Sequence, residues 1–207
     1  LYSVVVNGGR PTQLLTTPAE EVKFSKDGNK MIYQDKKGGE NTWRKHHTSS
    51  IARDIWIYDV KADKHTKLTN FNGEDRNPVF ANAEKELIYL SEESGSFNIH
   101  KMPVAGGKSE KLTSFKKHPV RFLSTSADGT LCFSYDGELY TMKAGGNPQK
   151  LSINILADAR KNDEQVMRVS SGSNIAVSPN GKEVAFLYRG DVFVSSVDGG
   201  VTKRITA

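Results

Sequence analysis

The residues best suited to bind a ligand lie in one basic stretch between residues 36 and 53. Glu40 is the single acidic residue of the stretch. Its basic and aromatic residues are Lys36, Lys37, Trp43, Arg44, Lys45, His46, His47 and Arg53. Guanidinium groups bind carboxylates through paired hydrogen bonds, so the stretch could hold a carboxylate or a peptide. The candidate substrate-binding residues are Trp43, Arg44, Lys45, His46, His47 and Arg53. The alternative is a solvated loop whose charges only keep the protein soluble.

Metal and catalytic chemistry have weaker support. Adjacent side chains of an extended chain point in opposite directions, which disfavours His46 and His47 as a metal pair, and no cysteine or acidic cluster adjoins them. The sequence contains no G-x-S-x-G, H-E-x-x-H or paired C-x-x-C motif. A histidine with Ser49 or Ser50 and Asp54 has the composition of a triad, but not its fixed geometry. We therefore assign no catalytic residue, metal ligand or cofactor to this chain.

A second irregular stretch covers residues 153–172 and mixes both signs of charge. Its charged residues are Asp158, Arg160, Lys161, Asp163, Glu164 and Arg168. The segment "DARKNDE" lacks the central glycine of a calcium-binding loop, so we interpret the stretch as an exposed, ion-paired connection.

The two stretches interrupt a sequence that otherwise repeats. A hairpin signal precedes an apolar strand in "SKDGNKMIY", "SADGTLCFSY" and "SPNGKEVAFLY", while the looser "ANAEKELIYL" has Ala83-Glu84 in place of Asp-Gly. The units close on Leu-Thr-like pairs, roughly 40 to 55 residues apart, that end at Thr16, Thr69, Thr113, Ser152 and Thr206. The pattern therefore predicts that each full unit forms four short antiparallel strands.

Four-stranded units at this spacing are typical of β-propeller blades, whose faces must be covered by neighbouring blades. A β-sandwich also has many short strands, but it gives no reason to repeat two motifs in the same order. We predict an all-β fold, a single propeller segment over residues 1–207. Its parts are a half blade at 1–16, four-stranded blades at about 17–69, 70–113, 114–152 and 173–207, and an inter-blade insertion at 153–172. Because the half blade lacks two strands, we expect the segment to belong to a larger propeller.

The reversal of the chain at each turn predicts where the two insertions lie. In an antiparallel blade, loops between the second and third strands emerge on the same side as the links between blades. We therefore expect residues 36–52 and 153–172 on one face and the Asp-Gly hairpins on the other. Long loops on one side of a rigid scaffold commonly carry binding sites.

Composition narrows the classes of partner. Only 36% of the residues are hydrophobic and the mean hydropathy is −0.54, and no apolar run approaches the roughly 18 residues of a membrane span. The net charge of +5 is spread along the chain, which argues against nucleic acid as a partner. The single cysteine, Cys132, excludes an internal disulfide, and its setting in "LCFSY" predicts a buried strand thiol.

The repeats resemble the WD-like propeller repeats shared by TolB, tricorn-type proteases and some prolyl-peptidase propellers. The resemblance lies in "FSKDGNKMIY", "VSPNGKEVAFLYRGDVFV" and the closing "KLT" and "RIT". Two longer stretches are most similar to the tricorn-type group: "NTWRKHHTSSIARDIWIYDVKADKHTKLT" and "GEDRNPVFANAEKELIYLSEESGSFNIHKMP". This implies the amino-terminal propeller of a serine peptidase related to carboxy-terminal processing proteases, in which the propeller guides or filters peptides and a separate downstream domain holds the nucleophile.

The resemblance also implies partners and location. The partners would be peptides or unfolded protein segments, together with the remaining propeller, PDZ and peptidase domains of the parent chain. The location would be periplasmic or secreted. The alternative function is a TolB-like protein-interaction scaffold without enzymatic activity, and a sugar-active or prolyl-peptidase propeller is a third. The sequence that follows Ala207 in the gene would discriminate among them.

Overall fold

The computed structural model describes residues 1–39, 41, 43–154 and 168–206. Within these residues every regular element is a β-strand, so the predicted all-β fold is confirmed. The described part of the chain has no helix of the length and apolarity needed to cross a membrane. The chain divides into two compact units, Leu1–Asn154 and Ile155–Ala207.

The strands of the first unit form a hairpin and three four-stranded antiparallel sheets, which we call blades 1 to 3. The hairpin consists of β1 (Tyr2–Ser3) and β2 (Thr12–Gln13). Blade 1 consists of β3 (Ala19–Phe24), β4 (Lys30–Asp35), β5 (Ile55–Asp59) and β6 (Lys64–Lys67). Blade 2 consists of β7 (Asp75–Ala81), β8 (Glu86–Ser91), β9 (Asn98–Pro103) and β10 (Glu110–Lys111). Blade 3 consists of β11 (Arg121–Thr125), β12 (Thr130–Tyr135), β13 (Glu138–Lys143) and β14 (Gln149–Lys150).

The second unit contains one further antiparallel sheet, blade 4. It consists of β15 (Ser173–Val177), β16 (Glu183–Tyr188), β17 (Asp191–Ser196) and β18 (Lys203–Arg204). Within it the rings of Phe186 and Phe193 stack across β16 and β17 with centroids 5.7 Å apart. In all four blades the strands pair in chain order, which is the arrangement of propeller blades.

The hairpin motif repeats because its serine and its Asp or Asn form the same turn in three blades. In blade 1, Ser25 Oγ donates to Asp27 Oδ1 (2.6 Å) and accepts from the N–H of Lys30 (2.9 Å). The same pair of bonds recurs at Ser126 with Asp128 and at Ser178 with Asn180. The glycine that follows adopts the left-handed backbone, with φ of 68° at Gly28.

The closing threonine repeats because its hydroxyl extends the ladder between the third and fourth strands. Thr69 Oγ1 accepts the N–H of Ile55 at 3.0 Å, and Thr113 Oγ1 accepts that of Ile99 at 2.9 Å. Thr206 does the same for Val192 in blade 4, at 3.1 Å. The side chain thus satisfies an N–H in the first two residues of the third strand.

The core of the first unit lies between successive sheets. Successive residues of β8 alternate between two clusters, so both faces of this strand are covered. The cluster between blades 1 and 2 contains Ile55, Leu68, Leu87, Tyr89, Met102 and Val104. The cluster between blades 2 and 3 contains Val79, Ile88, Leu90, Phe97, Ile99, Val120, Leu123, Leu131, Phe133 and Met142. Face-to-face packing of the three blades therefore buries most of the hydrophobic core of this unit. Cys132, on β12, is half-buried.

A β-bulge interrupts the first strand of every blade at the same place. The register shifts lie between Glu20 and Lys23, Arg76 and Val79, Arg121 and Ser124, and Ser173 and Ala176. Inside each shift one non-glycine residue has a positive φ: Glu21 (52°), Asn77 (50°), Phe122 (56°) and Asn174 (52°). Bulges of this kind turn side chains away from their regular positions and often lie next to functional sites. The sequence repeat did not predict them.

The loops of the first unit separate onto two faces as predicted. On one face, the N–H of His46, in the loop between β4 and β5, donates to Glu92 Oε1 of the loop between β8 and β9 (3.1 Å). On the other, the N–H of Lys26 in the first hairpin donates to Glu84 Oε1 in the second (2.6 Å). Most of the second insertion, residues 155–167, lies outside the described residues, so its predicted position stays a prediction.

Candidate functional site

The basic insertion, residues 36–54, leaves blade 1 at the end of β4 and returns at the start of β5. A lysine closes its base: Lys37 Nζ lies 2.6 Å from Asp54 Oδ2 and 3.3 Å from Asp35 Oδ2, and it also donates to the carbonyl of Ala52. Partial burial acts to lower the pKa of Lys37, but the hydrogen bond to Asp54 and the two carboxylate charges outweigh it and raise that pKa. The ammonium group therefore stays charged and holds the two ends of the insertion together.

A buried carboxylate, Glu74, fixes the middle of the insertion to the link between blades 1 and 2. His47 Nδ1 lies 2.9 Å from Glu74 Oε1, and Arg53 Nη1 lies 3.5 Å from the same oxygen. Arg76 Nε donates to Glu74 Oε2. The exposed fraction of the His47 side chain is 1% and that of Arg53 is 5%. These two predicted site residues are therefore buried against Glu74, and their contacts hold the insertion in place.

The same histidine also contacts a serine. His47 Nε2 is hydrogen-bonded to Ser49 Oγ, so serine, histidine and carboxylate follow one another as they do in a hydrolase triad. Two arginines share the carboxylate, however, and Ser49 Oγ also accepts the N–H of Ile51 at 3.4 Å. Ser49 is not among the residues that line the neighbouring cavity. We interpret these contacts as structural: they stabilise the conformation of the loop.

Glu20 of β3 forms a second attachment. Its carboxylate lies 2.7 Å from Lys36 Nζ and 3.3 Å from Arg53 Nε, and Gln34 Nε2 donates to it at 3.3 Å. Burial acts to raise the pKa of Glu20, but these hydrogen bonds and charges outweigh burial and lower that pKa. The carboxylate is therefore held ionised between the first strand and the insertion.

The other four predicted residues are exposed at the tip of the insertion: Trp43, Arg44, Lys45 and His46. His46 has a φ of 54°, and its N–H donates to Glu92, so the backbone of the tip is fixed to blade 2. Arg121 of β11 donates through Nη2 to the carbonyl of Trp43 at 3.3 Å. Its guanidinium lies 4.8 Å from the centroid of the Trp43 ring. The tip thus contacts both blade 2 and blade 3.

A cavity of about 500 Å³ opens beside the tip, where the first strands of blades 1 to 3 converge. It is lined by Glu20, Glu21, Gln34, Trp43, Arg76, Asn77, Leu90, Phe97, Val120, Arg121 and Phe122. Three of these residues, Glu21, Asn77 and Phe122, are the positive-φ residues of the three bulges. The bulges therefore shape the wall of the cavity, which we call the central pocket.

Within the part of the chain that the structure describes, no group of three or more histidine, cysteine, aspartate or glutamate side chains could hold a metal ion. The arrangement instead combines exposed cationic and aromatic groups with a pocket of mixed polarity. Such a surface can bind an organic ligand through charge and through side-chain packing.

Comparison with known proteins places these observations in a family. The sequence matches the model of the tricorn protease N-terminal beta propeller domain over residues 1–148. The chain belongs to this family. The tricorn protease crystal structure superposes on the tricorn-type propeller described here with a TM-score of 0.63 at 20% identity, covering 100% of this chain and 19% of that one.

TolB proteins are similar to this tricorn-type propeller as well. The Tol-Pal system protein TolB of Helicobacter hepaticus is 32% identical over 98 residues, which cover 47% of this chain and 23% of TolB. The crystal structure of TolB from Acinetobacter baumannii gives a TM-score of 0.50 at 20% identity over 92% of this chain and 43% of that one. The chain therefore spans less than half the length of these relatives.

Sequence reasoning missed the residues of the central pocket outside the insertion. Arg121 and Phe122 follow an ordinary apolar strand pattern in "VRFLST", and Glu20 and Glu21 precede "VKFS" without a turn signal. An asparagine at the matching position of β7 and of β15, Asn77 and Asn174, was the one available sign of the bulge, because asparagine tolerates positive φ.

Proposed function

We propose that this segment binds peptides on the face that carries the basic insertion, as the substrate-binding or gating propeller of a tricorn-like serine peptidase. Membership of the tricorn propeller family supports this proposal. In it the chain contributes binding, and the reaction takes place in a separate peptidase domain of a larger multidomain protein that also contains a PDZ domain. We assign it a periplasmic or secreted location, as the similarity to TolB suggests.

The observation that carries the proposal is the fixed presentation of the insertion tip. The buried contacts of His47 and Arg53 and the half-buried contact of Lys37 hold the loop in place, while Arg44 and Lys45 are exposed at its tip. A preordered cationic loop loses little conformational entropy when a ligand binds, so its charges contribute more to affinity. A loop that served only solubility would not need buried charges to hold it.

The roles of the six candidate residues divide accordingly. Arg44 and Lys45 attract and bind the carboxylate of a peptide, the guanidinium through paired hydrogen bonds. Trp43 contributes an aromatic surface beside them, and the backbone of His46 fixes the tip to Glu92. His47 and Arg53 position the loop through Glu74.

A second candidate function is a TolB-like scaffold that docks a protein partner without a peptidase domain. The 32% identity to TolB over 98 residues favours it. The gene sequence beyond Ala207 separates the two proposals. A PDZ and peptidase region there supports the first, and its absence supports the scaffold.

Peptides with and without a terminal charge test the binding role. We expect Arg44→Ala combined with Lys45→Ala to weaken binding of free-acid peptides about tenfold and to leave binding of amidated peptides unchanged. Both side chains are exposed, so the double variant should fold. Equal loss of affinity for both kinds of peptide would reject carboxylate recognition by these residues.

A further inference from the structure

Two exposed aromatic side chains meet at the mouth of the central pocket. Trp43 comes from the insertion and Phe122 from β11, and 62% and 64% of their surfaces are exposed. Their ring centroids are 6.1 Å apart with an interplanar angle of 75°. Large aromatic side chains are mostly buried in folded proteins, and aromatic rings favour edge-to-face or offset-stacked contacts with other rings. Apart from the Arg121 guanidinium that lies over the Trp43 ring, the pair presents an exposed apolar surface to the pocket mouth.

The backbone conformation of Phe122, which places its ring on the surface, is energetically unfavourable. A φ of 56° is rare for a bulky residue, and such a conformation costs on the order of 1 kcal/mol or more. The matching bulge positions in β7 and β15 are Asn77 and Asn174, and asparagine adopts this conformation far more easily. A phenylalanine is therefore not needed to form the bulge. What it adds is a ring on the pocket wall.

Arg121 holds the Trp43 ring in place. Its guanidinium lies over the Trp43 ring, 4.8 Å from the centroid, and its Nη2 donates to the Trp43 carbonyl. Burial lowers the pKa of Arg121, helped by the charge of Arg76 and opposed by that of Glu92. An indole held in this way is ordered before any ligand arrives, which reduces the entropic cost of binding.

The other walls of the pocket limit the kind of group that fits. Leu90, Phe97 and Val120 form an apolar floor and are almost completely buried. Glu20 and Glu21 line the same space together with Arg76 and Arg121, so the lining has no excess of either charge and favours a neutral group. A volume of about 500 Å³ accommodates one large side chain with part of its backbone. A neutral aromatic side chain satisfies all of these conditions, whereas a carboxylate belongs at Arg44 and Lys45.

We propose that Trp43 and Phe122 form a binding site for an aromatic side chain of the peptide ligand, so that the segment selects peptides by an aromatic residue as well as by their charge. The inference rests on the proposed function in one respect, namely that the ligand is a peptide. It adds a specificity site that is separate from the carboxylate contact at Arg44 and Lys45.

The test measures peptide affinity by fluorescence anisotropy with dye-labelled Gly/Ser decapeptides. Each peptide carries one central Phe or Ala, and each is made as a free acid and as an amide. We expect the Phe peptide to bind about tenfold more tightly than the Ala peptide. Phe122→Asn, which keeps the bulge and removes the ring, should reduce this ratio to about one. Trp43→Ala should do the same, and Trp43→Phe should keep most of the preference.

Phe24→Ala is the matched control. Phe24 is also a half-exposed phenylalanine on a first strand, but it lines a cavity among the hairpins of the opposite face. This variant should keep the tenfold preference. Equal binding of the Phe and Ala peptides by the unmodified protein overturns the inference, and so does an equal loss of preference in Phe24→Ala and Phe122→Asn.

The two proposals fail in different ways. If Arg44→Ala with Lys45→Ala keeps the preference for Phe and loses the preference for free acids, both stand. If free acids and amides bind equally while Phe is still preferred, the carboxylate proposal fails and the aromatic site stands. A preference for free acids without one for Phe overturns the aromatic site alone. No binding by any peptide overturns both.

Discussion

His47 Nδ1 lies 2.9 Å from Glu74 Oε1, and both side chains are almost completely buried. The contact joins the insertion of blade 1 to the link that leads into blade 2. Because Arg53 and Arg76 share the same carboxylate, a single acidic residue balances several buried donors. The exposed tip of the insertion therefore depends on a charge that is completely buried.

Removing that charge should destabilise the protein and loosen the insertion. For Glu74→Gln we expect the free energy of unfolding to fall by about 3 kcal/mol, because the two buried arginines lose the carboxylate that they share. Urea denaturation measures this loss, and hydrogen exchange should show faster exchange over residues 43–49. The control is Glu138→Gln, whose ion pair with Lys150 is exposed and should contribute little. Equal stability of the two variants would contradict a structural role for Glu74.

Two buried groups of blade 2 should give opposite pH dependences of stability. Burial raises the pKa of Asp75 to about 7, with the hydroxyls of Ser91 and Thr69 opposing the shift. Its folded-state pKa is above the unfolded value, so its contribution to stability is complete below about pH 4 and is lost as the pH rises towards 7. Burial lowers the pKa of His100 to about 4, with a smaller effect from Lys111. Its contribution is complete above about pH 6.5 and is lost as the pH falls through 4.

Single substitutions separate these two contributions. Relative to the unmodified protein, Asp75→Asn should gain stability as the pH rises from 4 to 7, by roughly 3 kcal/mol over the whole range. His100→Asn should gain stability relative to the unmodified protein as the pH falls from 6.5 to 4. Urea denaturation at half-unit pH steps measures both differences. Differences that do not change with pH would show that neither group titrates as described.

The positive-φ residue of each bulge offers a local test of backbone strain. Asn77→Ala should lower the free energy of unfolding by about 1 kcal/mol, because alanine tolerates the left-handed region less well than asparagine. Asn77→Gly, which has no such penalty, should be close to the unmodified protein. In the opposite direction, Phe122→Asn should be at least as stable as the unmodified protein. Thermal unfolding would contradict the bulge assignment if Asn77→Ala had no effect.

The frame of the fold could be predicted because its repeated residues have local functions. Ser25 with Asp27 forms a hairpin from neighbouring residues, and Thr69 bonds to Ile55 on the adjoining strand at the other end of the blade. Interactions over such short separations leave a pattern in the sequence wherever they recur. Unequal insertions did not obscure them, because the turn and the closing pair are independent of the loop between them.

The site was only partly predictable because its contacts join distant parts of the chain. The sequence shows that residues 36–53 are basic. It does not show that His47 and Arg53 are buried and contact Glu74. The pairing of Trp43 with Phe122 depends on the packing of blade 1 near blade 3 and on a bulge with no local signal. Charge was therefore visible in the sequence, whereas burial and aromatic contact were not.

Photo-cross-linking tests the central claim, that peptides bind on the face carrying the insertion, most directly. A peptide with a benzophenone side chain next to its free carboxyl end is irradiated with the protein, and the linked residues are identified by mass spectrometry. We expect links to residues 43–46 and to the start of β11, and competition by an unlabelled free-acid peptide. Links confined to the hairpins at residues 25–29, 82–84 and 126–129, on the opposite face, would contradict the claim.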